Sequence, residues 1–180
     1  RFFGGWDFTD EDANNRLPAD VGYKKGVPMG SDLMKSSSTK GPTFLVAARK
    51  DPLGGNLDRI QIIKGWLGED GKTYEKVYDV VWAGERQMDD KGKVPSVGNT
   101  VNLEDGSWDN SIGATELSKV WTDPDFHPEL EAFYYVRVIE IPTPRWTLHD
   151  KLRYGAELSD EVPLTTTQRG YTSPIWYSPK

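Results

Sequence analysis

The sequence has 180 residues, 22 basic and 28 acidic side chains, a formal charge of −6 and no cysteine. That length suffices for one domain with a sizeable core, and the charge argues against a general nucleic-acid partner or docking to an anionic membrane. The missing cysteine excludes disulfides, thiolate catalysis and Cys-ligated metals, and no apolar run approaches the ~20 residues of a membrane span.

Eighteen Gly and twelve Pro predict many turns and few long helices, and seven Trp with eight Tyr allow a core of large side chains. Arg1 to Phe8 (RFFGGWDF) reads as a strand with a break at Gly4-Gly5, because glycine pairs in strands mark bulges or close backbone approach. The opening Arg1-Phe2-Phe3, without Met, reads as the start of a fragment of a longer protein. Thr9 to Lys25 reads as a long polar loop with one helical turn at Asp10-Glu11-Asp12-Ala13. Gly26 to Met34 holds too much Gly and Pro for a helix. Ser36-Ser37-Ser38 reads as an exposed linker. Pro42 to Arg49 (PTFLVAAR) suits a short buried strand, and Asp51 to Asn56 is a cluster of turn residues.

The chain is organised around Leu57 to Ala83 (LDRIQIIKGWLGEDGKTYEKVYDVVWA). Two β-rich arms flank the polar tip Glu69-Asp70-Gly71-Lys72, and Asp-Gly between such arms signals a hairpin. Period two puts Ile60, Ile62 and Trp66 on one face of the first arm. In the second arm it puts Tyr74, Tyr78, Val80 and Trp82 together, with Glu75 and Asp79 opposite. So aromatic a hairpin needs a second layer to cover it.

Gly84 to Asn99 reads as a polar loop or edge ribbon and Thr100 to Leu103 as a short strand. Ala114 to Thr122 (ATELSKVWT) reads as a strand in preference to a helix. Ala132 to Ile141 (AFYYVRVIEI) is a strong strand that Pro142 should end. Pro142 to Trp146 should be extended around its prolines. Thr147 to Tyr154 can form one or two helical turns, and Pro174 to Tyr177 (PIWY) a last strand. Together these predict an all-β fold: an antiparallel β-sandwich with long irregular loops and at most short helices, spanning residues 1–180 as a single domain.

Chemistry is sparse. His127 follows Asp123 and Asp125 in TDPDFHP, where a metal site competes with a rigid surface turn between Pro124 and Pro128, and the turn is preferred. His149 and Asp150 are sequence neighbours that do not face each other on a helix or strand, so a general-base pair is not expected. Asp89-Asp90 and Glu104-Asp105 lack calcium-loop spacing and read as solvated surface. Nucleophile-elbow, phosphate-loop and dinucleotide motifs are absent. Trp66, Trp82, Trp108, Trp121, Trp146 and Trp176 could include a carbohydrate platform, although core packing accounts for most of them.

Several strings carry a resemblance: RFFGGWDF, GVPMGSDL (Gly26 to Leu33), PTFLVAARKDP (Pro42 to Pro52), LDRIQIIKGW (Leu57 to Trp66), EKVYDV (Glu75 to Val80), VWTDPDF (Val120 to Phe126), AFYYVRVIEIPTPRW (Ala132 to Trp146) and YTSPIWYSP (Tyr171 to Pro179). In combination they resemble the C-terminal part of domain-of-unknown-function family 3604, large bacterial proteins, with a departure at Ser31 where the family pattern carries Gly. The resemblance implies an N-terminal part similar to the PHP (polymerase and histidinol phosphatase) metallohydrolases, where histidines and carboxylates hold divalent metal. Those motifs are absent here, so no catalytic or metal residue carries over, and no cofactor is expected in this chain.

The expectation is a non-catalytic accessory domain packed on that hydrolase domain in the same protein, with homodimers of the fragment as a further option. Trp6, Asp7, Met29 and Asp32 are the candidates for facing its cleft, because GGWDF and GVPMGSDL combine flexible glycine, one carboxylate and an apolar side chain. The simpler reading, that these glycines serve turns, is preferred. The alternative is a carbohydrate- or other ligand-binding β-sandwich. A periplasmic or secreted parent is favoured.

Overall fold

The computed structural model describes residues 1–37 and 40–179, so Ser38 of the serine linker lies outside the described residues. In chain order the strands are β1 (Phe2–Gly5), β2 (Gly26–Pro28), β3 (Asp32–Met34), β4 (Thr43–Arg49), β5 (Leu57–Leu67), β6 (Thr73–Trp82), β7 (Glu116–Thr122), β8 (Ala132–Pro144), β9 (Thr165–Tyr171) and β10 (Ile175–Ser178). Two short helices, α1 (Pro18–Lys25) and α2 (Trp146–Tyr154), and a 3-10 turn at Asp10–Asn14 complete the elements.

The strands form two sheets. The first runs β2-β1-β4-β7 and the second β3-β10-β8-β5-β6, with β9 alongside the far end of β8. Every pairing is antiparallel except that of β10 with β3. The sheets share one core: Phe2, Phe44 and Val46 from the first meet Ile60, Ile62, Tyr134, Val136, Ile175 and Tyr177 from the second. This is the expected all-β sandwich. The outer face of the first sheet is covered as well. Phe3, Leu45 and Val120 pack there with Phe8, Ala13 of the 3-10 turn, and Ala19 and Val21 of α1.

The hairpin forms as its pattern predicts, with β5 paired to β6 from Arg59 opposite Trp82 to Leu67 opposite Thr73. Gly71 supplies φ +74° at the tip. One reading of its faces fails. The register shifts between Ile60 and Gln61, so Val81 comes opposite Ile60 and Asp79 opposite Gln61. The extra residue reverses the alternation beyond it. Trp82 therefore leaves the face of Tyr78 and sits opposite Arg59, its indole N–H donating to the Arg86 carbonyl at 2.9 Å.

Other expectations shift too. The Thr9–Lys25 segment holds α1 in addition to the helical turn. Thr100–Leu103 is not a strand; the Asn102 N–H donates to the Ser107 carbonyl, closing a turn. Strand β8 does not end at Pro142 but continues to Pro144. Pro142 lies at a register irregularity opposite Thr167 of β9, where its missing N–H is tolerated. Trp146 is already the first residue of α2. Among the described residues no helix is long and apolar enough to cross a membrane.

Because Gly71 holds a left-handed conformation, Gly71→Ala should cost about 1–2 kcal/mol of folding free energy. Gly71→Asn should cost less, since Asn tolerates that region better. Urea denaturation of the two variants checks the order.

Candidate functional site

The inner face of the second sheet is apolar except at one level. There Lys64 of β5 lies opposite Tyr134 of β8. Lys64 is 4% exposed and Asp123, just beyond β7, 3% exposed. The Lys64 Nζ donates to Asp123 Oδ2 at 2.6 Å and to the Asp125 carbonyl at 2.7 Å. The Tyr134 hydroxyl donates to the same Asp123 Oδ2 at 2.7 Å, and the Asp125 N–H donates to Asp123 Oδ1 at 2.9 Å. Burial first, and the Asp123 charge second, push the Tyr134 phenol far up, so it stays protonated and keeps donating.

A second layer lies outside this one. The Asp125 carboxylate accepts from Lys76 Nζ at 2.5 Å and from the Tyr78 hydroxyl at 2.7 Å. Lys76 first and Tyr78 second hold its carboxyl below the usual carboxylate range.

These bonds commit Asp123 and Asp125 to Lys64, Tyr134, Lys76 and Tyr78 rather than to His127. His127 is exposed in a turn that the Leu130 N–H closes onto its carbonyl at 3.2 Å. The cavity between Lys64, Phe126, His127 and Tyr134 measures about 20 Å³, room for roughly one water. The cluster ties the sheets together and offers no open position. Among the described residues no group of three or more His, Asp or Glu converges as a metal site would. His149 is exposed on α2.

A wider cleft of about 1010 Å³ opens between the sheets at one end, floored by Val46, Ile60 and Val136. Its rim is mixed in charge, and Arg49 is neutralised by Glu116 at 2.6 Å. Glu140 on the same rim has its carboxyl raised, by burial first and by Asp51 second.

The outer face of the second sheet is divided. At one end it is polar and covered. Gln61 Nε2 donates to Asp79 Oδ1 at 2.6 Å, and Arg137 Nε donates to Gln61 Oε1 at 2.7 Å. The Val94 N–H donates to Asp79 Oδ2 at 2.8 Å, while the Arg59 guanidinium donates to the Val94 carbonyl, so the 84–95 loop is stapled down.

At the other end stands a row of rings. Trp176 and Phe133 lie 5.3 Å apart between centroids, Phe133 and Tyr135 6.4 Å apart and within 14° of parallel, and Tyr135 and Tyr171 6.5 Å apart. Trp176 is 50% and Tyr171 58% exposed. Phe133 lies on Gly65, where a Cβ would come within 2.3 Å of its ring, so the bare backbone of β5 is the floor on which the ring rests. A groove of about 610 Å³ runs from Trp176 and Phe133 to Leu67 and Tyr74.

The four candidates from the sequence go to different places. Trp6 is half-buried, its indole N–H donating to the Met34 carbonyl at 3.1 Å and its ring edge-on to Phe126 and Tyr177. Met29 packs against the same core. Asp7 is exposed. Asp32 is exposed on β3 opposite Trp176, and so joins the row of rings. The sequence reading did not single out Phe133, Tyr135 and Tyr171. The available signal was the alternation of Phe133 and Tyr135 with buried Tyr134 and Val136, which puts them on the face away from the core.

A family model described as "Protein of unknown function (DUF3604)" matches residues 1–179. The chain belongs to the DUF3604 family. No curated protein and no solved structure matches this DUF3604 chain.

Lys64→Met strands the Asp123 carboxylate in the core and should cost roughly 3–5 kcal/mol. In the double variant Lys64→Met/Asp123→Asn the loss should be smaller than the sum of the two single losses, as a urea-denaturation cycle would show. Asp125→Asn should lower stability at pH 7 by less than about 1 kcal/mol, because its ion pair is half-exposed. The Asp125 pKa is depressed by folding, so its contribution is full above the ordinary Asp value near ~3.9 and fades as pH falls through the lower folded value. The gap between wild type and Asp125→Asn should close below about pH 4 in denaturation series.

Proposed function

We propose that this DUF3604 chain is a non-catalytic accessory β-domain that packs on a hydrolase domain of the same protein through the aromatic face of its second sheet. One observation supports the reading above the others: the row Trp176, Phe133, Tyr135 and Tyr171 has exposed rings at both ends and half-buried rings between them. The opposite face of the sandwich has its own cover in α1 and the 3-10 turn. Contiguous exposed rings of this kind mark interaction surfaces, and aromatic side chains are enriched at interface centres. That the partner is a metal-dependent hydrolase of the PHP kind follows from the resemblance of the strings quoted above. Its divalent metal would be held by the histidines and carboxylates of that domain.

A second reading, a carbohydrate-binding sandwich, draws on the near-parallel Phe133 and Tyr135 rings, whose faces suit the C–H surface of a sugar ring. The two readings part on what protects Trp176. Hydroxyl-radical footprinting should show Trp176 and Tyr171 oxidised several-fold more slowly in the longer protein that carries both domains than in the 1–180 chain. Trp146, which is 63% exposed on α2, should react alike in both. Equal rates at Trp176 would overturn docking through this face. Protection of Trp176 by an added oligosaccharide instead would favour the second reading.

A further inference from the structure

We infer that the surface docking on this face is cationic, with arginine or lysine side chains of the partner domain lying over Trp176 and Phe133 and pairing with Asp32, Glu75 and Glu131. This rests on the docking reading and adds the chemistry of the partner.

The strand register carries the argument. Asp32 of β3 lies opposite Trp176 of β10, Trp176 opposite Phe133 of β8, Phe133 opposite Gly65 of β5, and Gly65 opposite Glu75 of β6. One row across the sheet thus reads acid, ring, ring, bare backbone, acid. Glu131, just before β8, stands on the wall of the adjoining groove. Several carboxylates elsewhere pair with cations: Asp12 with Lys25, Asp58 with Arg86, Asp125 with Lys76 and Glu129 with Lys35. Asp32, Glu75 and Glu131 have no side-chain hydrogen bond or ion pair among the described residues. Among the described residues no lysine or arginine lines the groove.

The electrostatics follow. The face of an aromatic ring carries negative potential, so the rings and the three carboxylates act in the same sense. A partner that covered this face with neutral or acidic groups would leave three carboxylates desolvated and unpaired. A basic surface satisfies them and stacks on the rings as well. Arginine suits the row best, because its planar guanidinium can lie flat on a ring while its N–H groups reach a carboxylate. Four inter-strand steps of about 4.8 Å put the two end acids roughly 19 Å apart, which accommodates two or more cationic side chains.

The footprint of Trp176 in the longer protein tests the idea. Asp32→Asn/Glu75→Gln/Glu131→Gln should raise Trp176 oxidation to the rate of the isolated chain. A control that removes three exposed acids elsewhere, Glu85→Gln/Glu104→Gln/Glu157→Gln, should keep the protection. In wild type the protection should fade toward about 1 M NaCl, where the screening length is about 3 Å. If wild type is protected and the first triple variant is equally protected, the partner is not cationic and the inference falls while docking stands. Equal loss in the control overturns it in favour of a net-charge effect. An unprotected wild type removes the docking reading and this inference together.

Discussion

An ammonium group between two β-sheets costs several kcal/mol in desolvation unless an anion and hydrogen bonds meet it there. Lys64 is met on all sides, by the Asp123 carboxylate, the Asp125 carbonyl and, through Asp123, the Tyr134 hydroxyl. The geometry of the cluster constrains the architecture. Lys64 and Tyr134 belong to neighbouring interior strands of the second sheet, β5 and β8, whereas Asp123 follows the edge strand of the first. Apolar contact alone would let the sheets slide, since hydrophobic burial has no direction. Three short hydrogen bonds to one carboxylate leave one relative placement, and the turn from Asp123 to Phe126 is held by the same atoms.

With the inner faces fixed, the outer faces differ in a way that bears on function. The first sheet carries its own cover, Phe3, Leu45 and Val120 beneath α1 and the 3-10 turn. The second sheet covers only the end where Asp79 and Gln61 receive the 84–95 loop. The row of rings from Trp176 to Tyr171 lies beyond that cover. Its exposure follows from strand alternation in AFYYVRVIEI: while Tyr134 and Val136 fill the core, Phe133 and Tyr135 must point outward.

Where apolar, β-rich runs stand out from their surroundings, the structure was legible. Strand β4 follows from its short apolar run, β5 and β8 from their β-branched and aromatic content, and the hairpin tip from Asp70-Gly71. Breaks in the period were hidden. The extra residue near Ile60 sends Trp82 to the other face, and nothing in VYDVVW announces it. Helix α1 is short and carries Gly22 in its middle, so its apolar stripe is weak. Its end signals, Pro18 at the first position, Asp20 in the first turn and Lys24-Lys25 in the last, sit in a segment polar enough to read as a loop. Strand β9 (TTTQRGY) is largely polar and its pairing with β8 is interrupted by a register shift, so it resembles a loop. The aromatic row needed pairing information: Trp176 and Phe133 lie 43 positions apart, and only the register of β10 with β8 makes them neighbours.

The placement of β10 also bears on the order of events during synthesis. This strand is inserted between β8 and β3, antiparallel to one and parallel to the other, and its Ile175 and Tyr177 are buried in the shared core. Until residue 178 has left the ribosome, β8 presents an unfilled edge at Ala132 to Tyr134 and β3 has no neighbour in its sheet. A nascent chain therefore holds most of its sandwich ready while the gap stays open to any extended segment that comes by. Trp176 lies opposite Asp32, so this side of the second sheet rests on pairings that are long-range in sequence and slower to form than a local hairpin such as β5 with β6.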